Sequence, residues 1–99
     1  FLNLVEIKQG FSRGGHFHPF HSSHNLISGK VEYMEFNTKT HKEKKMIYHS
    51  PYNIDVPPFV AHLLTAIDDV LFLEIFKNNY QDTIFPKYRK IVEQKISEN

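Results

Sequence analysis

The sequence predicts an all-β domain, a small antiparallel barrel or sandwich followed by one C-terminal helix. Three observations point this way. Short stretches rich in β-branched and aromatic residues recur along the chain, bounded by glycine, proline or polar turn residues. The connections between them are short, as in sandwiches and barrels. Only the final stretch, "FPKYRKIVEQKIS" (85–97), changes to the 3.6-residue period of an amphipathic helix.

Taken in order, "LNLVEI" (2–7) alternates weakly and reads as a first strand. It runs into "QGFSRGG" (9–15), whose three glycines predict an irregular loop. "HNLIS" (24–28) and "KVEYMEF" (30–36) flank Gly29 and read as a hairpin, with Val31, Tyr33 and Glu35 on one face of the second arm. The polar segment "NTKTHKEKK" (37–45) reads as a solvated tip. "MIYHS" (46–50) and "YNIDV" (52–56) are strands parted by Pro51. Pro57 and Pro58 then lead into "FVAHLLTA", and "VLFLEIF" (70–76) is the last barrel strand. In the tail, Pro86 suits a first helical turn, and Tyr88, Ile91, Val92 and Ile96 share one face that packs on the barrel or on a partner subunit. The chain reads as one domain, with a barrel at about 2–76 and an extension and helix at about 77–97.

Composition removes several function classes. With 40% hydrophobic residues, nine Phe and five Tyr, the chain has the makings of a packed core. It has no cysteine, which excludes disulfides, thiolate metal sites and thiol catalysis. A formal charge of +1 gives no electrostatic case for nucleic acid. The longest apolar run, "VLFLEIF", is far too short to span a bilayer and is broken by Glu74. The first residues do not read as a signal peptide, so the expected setting is soluble and cytoplasmic.

The chemistry-bearing segment is "GGHFHPFHSSH" (14–24), which holds four of the seven histidines. His16 and His18 lie two apart, as do Ser22 and His24, so in extended chain each pair faces one side. Histidines gathered in one interior would be costly to bury without partners, and neutral imidazole is the commonest metal ligand. His21 falls on the opposite face by alternation, and His41 and His49 carry no comparable signal.

Two segments together resemble the paired motifs of the cupin superfamily. The first is "GFSRGGHFHPFHSSHNLISG" (10–29), with Gly10, His16, His18 and Gly29 in the motif positions. The second is "VPPFVAHLLTA" (56–66), matching at Pro57 and His62. The resemblance implies a double-stranded β-helix, or jelly-roll, barrel in which His16, His18 and His62 meet. It also shows departures. The first motif normally carries a glutamate ligand where this chain has Ser22, and His24, one strand step further on, could substitute for it. The second usually has Gly and Asn where this chain has Phe59 and Ala66. A four-nitrogen site with His24, a three-histidine site completed by water, and no metal at all are each open. With nitrogen ligands a divalent transition metal such as Zn, Ni, Fe or Cu fits.

A narrower likeness adds a function. "SRGGHFH" and the tail "NNYQDTIFP" are similar to segments of sugar-nucleotide cupins of the ketoisomerase and polysaccharide-assembly type. That resemblance implies Arg13 on a diphosphate and His16 or His18 as acid/base on the sugar. Tyr33 and Tyr48 are candidates to line the cavity as phenol acids or stacking platforms, with barrel-filling aromatics the commoner case. The expected protein is a carbohydrate or sugar-nucleotide isomerase or epimerase. The alternatives are a non-catalytic metal- or sugar-binding module and a metal-dependent oxygenase. A homodimer is expected, because a barrel this small exposes edge strands. The strand 2–7 and the tail helix are its candidate faces.

Overall fold

The computed structural model describes residues 2–76 and 82–97. In chain order these form β1 (Leu2–Ile7), β2 (Ser12–Phe17), β3 (Ser22–Ser28), β4 (Lys30–Asn37), β5 (Glu43–His49), β6 (Tyr52–Val56), β7 (Val60–Ala66), β8 (Val70–Phe76), β9 (Thr83–Ile84) and α1 (Pro86–Ser97). The strands make two antiparallel sheets, β1-β8-β3-β6 and β5-β4-β7-β2-β9. Alternation sends Val5, Leu26 and Phe72 of the first sheet into one core with Val31, Tyr33 and Leu64 of the second.

The hairpin expected at Gly29 is not one. β3 lies between β8 and β6 in the first sheet, whereas β4 lies between β5 and β7 in the second. Gly29 is the corner at which the chain crosses between sheets. Two strands joined by one glycine look alike in sequence whether they fold back or cross over. The segment 9–15 is likewise not irregular throughout. Ser12 begins β2, and Gly14 pairs with Leu63 of β7 before a bulge that precedes His16. The polar tip also shrinks, because Glu43, Lys44 and Lys45 pair with Phe36, Glu35 and Met34. Their charge suits β5, which is an exposed sheet edge.

The second sheet is covered on both faces, which explains the almost unbroken apolar run of β7. Its outer face, through Ala61 and Leu63, meets Tyr88 and Val92 of α1. Burying two such side chains stabilises the helix by about 1.5–3 kcal/mol each. The Phe85 carbonyl accepts from the amides of Tyr88 and Arg89 at 3.1 and 2.9 Å, closing the first turn with Pro86 inside it. Tyr88 Oη donates to Glu43 Oε2 at 2.6 Å, and with Lys87 this holds the Glu43 carboxyl below its usual range. The apolar face of α1 is therefore used by its own barrel, and of the two faces expected for a dimer only that of β1 is left. The side chain of Ile96 and residues 78–81 of the tail motif lie outside the described residues.

Candidate metal centre and ligand cavity

β2 and β7 are neighbours in register, with His16 opposite His62. On β7, Val60, His62, Leu64 and Ala66 point inward. On β2, the bulge at Gly14 and Gly15 lets Arg13 and His16, three residues apart, serve the same cavity, and His18 follows by alternation. The two motifs are pinned together where β2 ends, since the Phe59 amide donates to the His18 carbonyl at 2.7 Å. Phe59 makes this bond with φ of 64°, in the left-handed region, where the cupin motif usually has glycine. Thr38 Oγ1 donates to the Phe59 carbonyl at 2.7 Å and helps to hold it there.

The structure brings His16, His18 and His62 together, with one ring nitrogen from each lying within 4.8 Å of the others. Ring centroids are 4.9 Å apart for His16 with His18 and with His62, and 5.4 Å for His18 with His62. Burial, reinforced by the neighbouring His18, pushes His16 down to about 4. Burial and the surrounding imidazoles push His62 well below its ordinary value. Both rings are neutral near pH 7 and offer a lone pair. His62 Nδ1 lies 3.4 Å from the Val60 carbonyl, which can only accept, so Nδ1 carries the proton and Nε2 the lone pair. Three imidazoles at this separation suit a divalent transition metal, whose Zn–N distances of about 2.0–2.1 Å would draw the rings closer together.

Two of the triad, His16 and His62, line a cavity of about 220 Å³ together with Asn3, Arg13, His24 and Glu74. His24 is 2% exposed and its ring lies 5.3 Å from that of His62. Its Nε2 faces Glu74 Oε2 at 3.3 Å, so the nitrogen expected to complete a four-histidine site stands beside the triad. Ser22, in the place of the family's glutamate, is buried with Oγ unpartnered among the described residues. Arg13 is exposed at the cavity mouth. Tyr33 and Tyr48 do not line the cavity. Tyr33 is packed in the core beside its cross-strand neighbour Leu64, which takes the place at the wall, and burial raises its hydroxyl pKa. Tyr48 stacks on Tyr52 at 4.3 Å. His21 is exposed, as alternation suggested, and so are His41 and His49.

A second cavity of about 280 Å³ shares Arg13, Gly14 and His16 with the first and adds Asp82 and Arg89. Asp82 Oδ2 lies 3.5 Å from His16 Nδ1. The tail is held against β2 here: β9 pairs with His16 and Phe17, and Arg89 Nη1 donates to the Gly14 carbonyl at 3.3 Å. Asn3, Glu74 and Asp82 were not among the residues expected at the site. Glu74 was legible, because it is a charge inside "VLFLEIF" on the same face as inward Val70, Phe72 and Phe76. Asp82 carried no such signal, since its approach depends on how the tail folds back.

No protein-family model and no curated protein matches the chain. Solved structures do. A Bacillus subtilis oxalate decarboxylase studied for its Mn(II) centres superposes with TM-score 0.75 at 28% identity, covering 88% of this chain and 24% of that one. An oxalate decarboxylase in a study of substrate binding gives TM-score 0.75 at 30% identity over the same shares. RmlC from Streptococcus suis, solved with dTDP-D-xylose, gives 0.73 at 16% identity, covering 82% of this chain and 45% of that one. The chain thus spans about a quarter of the oxalate decarboxylase chains, and its likeness to RmlC is one of fold. Two facing antiparallel sheets, motif histidines meeting between them on β2 and β7, and these neighbours together make the chain a member of the cupin superfamily.

Proposed function

We propose that the chain is a metal-binding cupin that acts on a small carboxylic acid. The convergence of His16, His18 and His62, with His16 and His62 lining a polar cavity of about 220 Å³ that has Arg13 at its mouth, carries this reading. That volume is below the roughly 300–1,000 Å³ of pockets that enclose drug-sized ligands. It suits a molecule of a few heavy atoms. Arg13 offers a planar fork of donors matched to a carboxylate. His16, His18 and His62 would hold the metal, which supplies Lewis-acid polarisation of a bound oxygen. With Ser22 in place of a glutamate, nitrogen donors favour a late divalent metal. The sequence likeness to oxalate decarboxylase supports an acid as ligand.

The second cavity favours one other reading. A nucleotide sugar could place its sugar beside His16 as acid/base, with its diphosphate between Arg13 and Arg89. Metal analysis of the purified protein, followed by calorimetric titration with glycolate, oxalate and a thymidine diphosphate sugar, separates the two. The acid reading expects stoichiometric metal, millimolar or tighter binding of an acid, and loss of that binding in Arg13→Ala. Binding of the nucleotide sugar alone would overturn it.

We also propose a homodimer through the outer face of the first sheet. Leu2 and Leu4 are each 65% exposed on the edge strand β1, and their register sets them beside Ile75 and Leu73 of β8. Such an apolar edge is usually covered. Sedimentation at micromolar concentration should give a dimer that Leu4→Lys dissociates, and a wild-type monomer would refute the assignment.

A further inference from the structure

We infer that the cavity selects a ligand with one anionic group and one hydrogen-bond donor, a hydroxy or amino acid in preference to a dicarboxylate, and that Glu74 imposes the choice. This rests on the small-acid reading above.

Asn3, Glu74 and His24 form one row across three adjacent strands of the first sheet. Glu74 pairs in register with Asn3 on β1 and with His24 on β3. The row faces the triad, which stands on the second sheet. Asn3 Nδ2 donates to Glu74 Oε1 at 3.3 Å, and His24 Nε2 lies 3.3 Å from Oε2. Each carboxylate oxygen is anchored once, which fixes the group and leaves further lone pairs for a ligand. Burial raises the Glu74 pKa, but His24, Asn3 and the charge of Arg13 offset this and hold it below the usual range.

A carboxylate only accepts, so His24 Nε2 donates to Glu74 Oε2 and the carboxylate is the acceptor of this wall. The opposite side of the mouth carries Arg13, which only donates. A matching ligand is therefore anionic towards Arg13 and presents O–H or N–H towards Glu74. A dicarboxylate would set a second negative charge, without a donor, against Glu74. Hydrogen bonds to a charged group carry enough energy to separate such ligands by about tenfold or more.

Calorimetry with glycolate and oxalate tests this, since the two differ only in CH₂OH against a second carboxylate. The protein is used loaded with Zn(II), with metal retention checked after each titration. Glycolate should bind at least tenfold more tightly than oxalate. Glu74→Gln, nearly isosteric and able to donate, should shrink that ratio at least tenfold with metal content unchanged. If oxalate binds the wild type as tightly as glycolate, or the Glu74→Gln ratio is unchanged in folded protein, the inference fails and the small-acid reading stands. If neither acid binds the wild type, the small-acid reading fails and takes this inference with it. The wild-type ratio decides even if Glu74→Gln does not fold.

Discussion

Replacing Gly14 with alanine is expected to cost about 3–5 kcal/mol and to spoil the histidine site, in the range of strained backbone added to a core clash. Gly14 has φ of 114°, and a Cβ there would lie 2.5 Å from the His62 carbonyl oxygen and 3.3 Å from Leu63 Cα. Both obstacles are backbone of the neighbouring strand β7, which is packed on two faces and has nowhere to go. Relief would push β2 from β7 at the place where His16 and His62 face each other. Gly10 is the control. Its φ of 86° is also strained for an alanine, but nothing lies within 4 Å of the added Cβ. Gly10→Ala should therefore cost only the left-handed penalty of about 1–2 kcal/mol and keep the site. Urea unfolding of the two variants, with metal uptake of each, makes the comparison. Equal losses would show that close approach of β2 to β7 does not organise the centre.

The same two strands show what the sequence could and could not reveal. The spacing of His16 and His18 declared their shared face, because alternation in extended chain is a local property. His62 joined them through its place after Pro57 in a motif with a known partner. The shared cavity of Arg13 and His16 was not locally visible. They are three apart, and only the bulge at Gly14 and Gly15 restores their common side. The glycines that read as loop were serving the interior of a sheet.

Elsewhere the limits are topological. Gly29 could have closed a hairpin or turned a corner, and the choice was made by β8 and β7, which pair with β3 and β4 from far along the chain. Tyr33 and Tyr48 had the right chemistry for a cavity wall, but Leu64 and Tyr52 occupy the contacts that decide where those rings sit. His24 had the right face for a fourth ligand. That it also faces Glu74 was visible only from the fold, since Glu74 comes from a strand fifty residues later in sequence.

His62→Ala should abolish the stabilisation that a divalent metal gives the wild type, whereas His24→Ala and His41→Ala should largely keep it. At a free metal concentration about a hundred times Kd, one bound ion stabilises the folded state by about 2.7 kcal/mol, read as a shift of the unfolding midpoint. His62 is 1% exposed, stands opposite His16 in the triad and is fixed by Val60. Its loss should weaken the metal by more than the 10–100-fold typical of an outer partner's removal. Asp82→Asn, which alters the group beside His16 Nδ1, should fall within that 10–100-fold range. His24 directs Nε2 to Glu74, and its removal should change metal affinity less than Asp82→Asn does. His41 lies on the exposed loop between β4 and β5 and serves as the surface control. Because each variant is compared with itself, with and without metal, any cavity left by a truncated ring cancels. Loss of the metal increment in His24→Ala to the same extent as in His62→Ala would instead make this a four-nitrogen centre, with Glu74 orienting its fourth ligand.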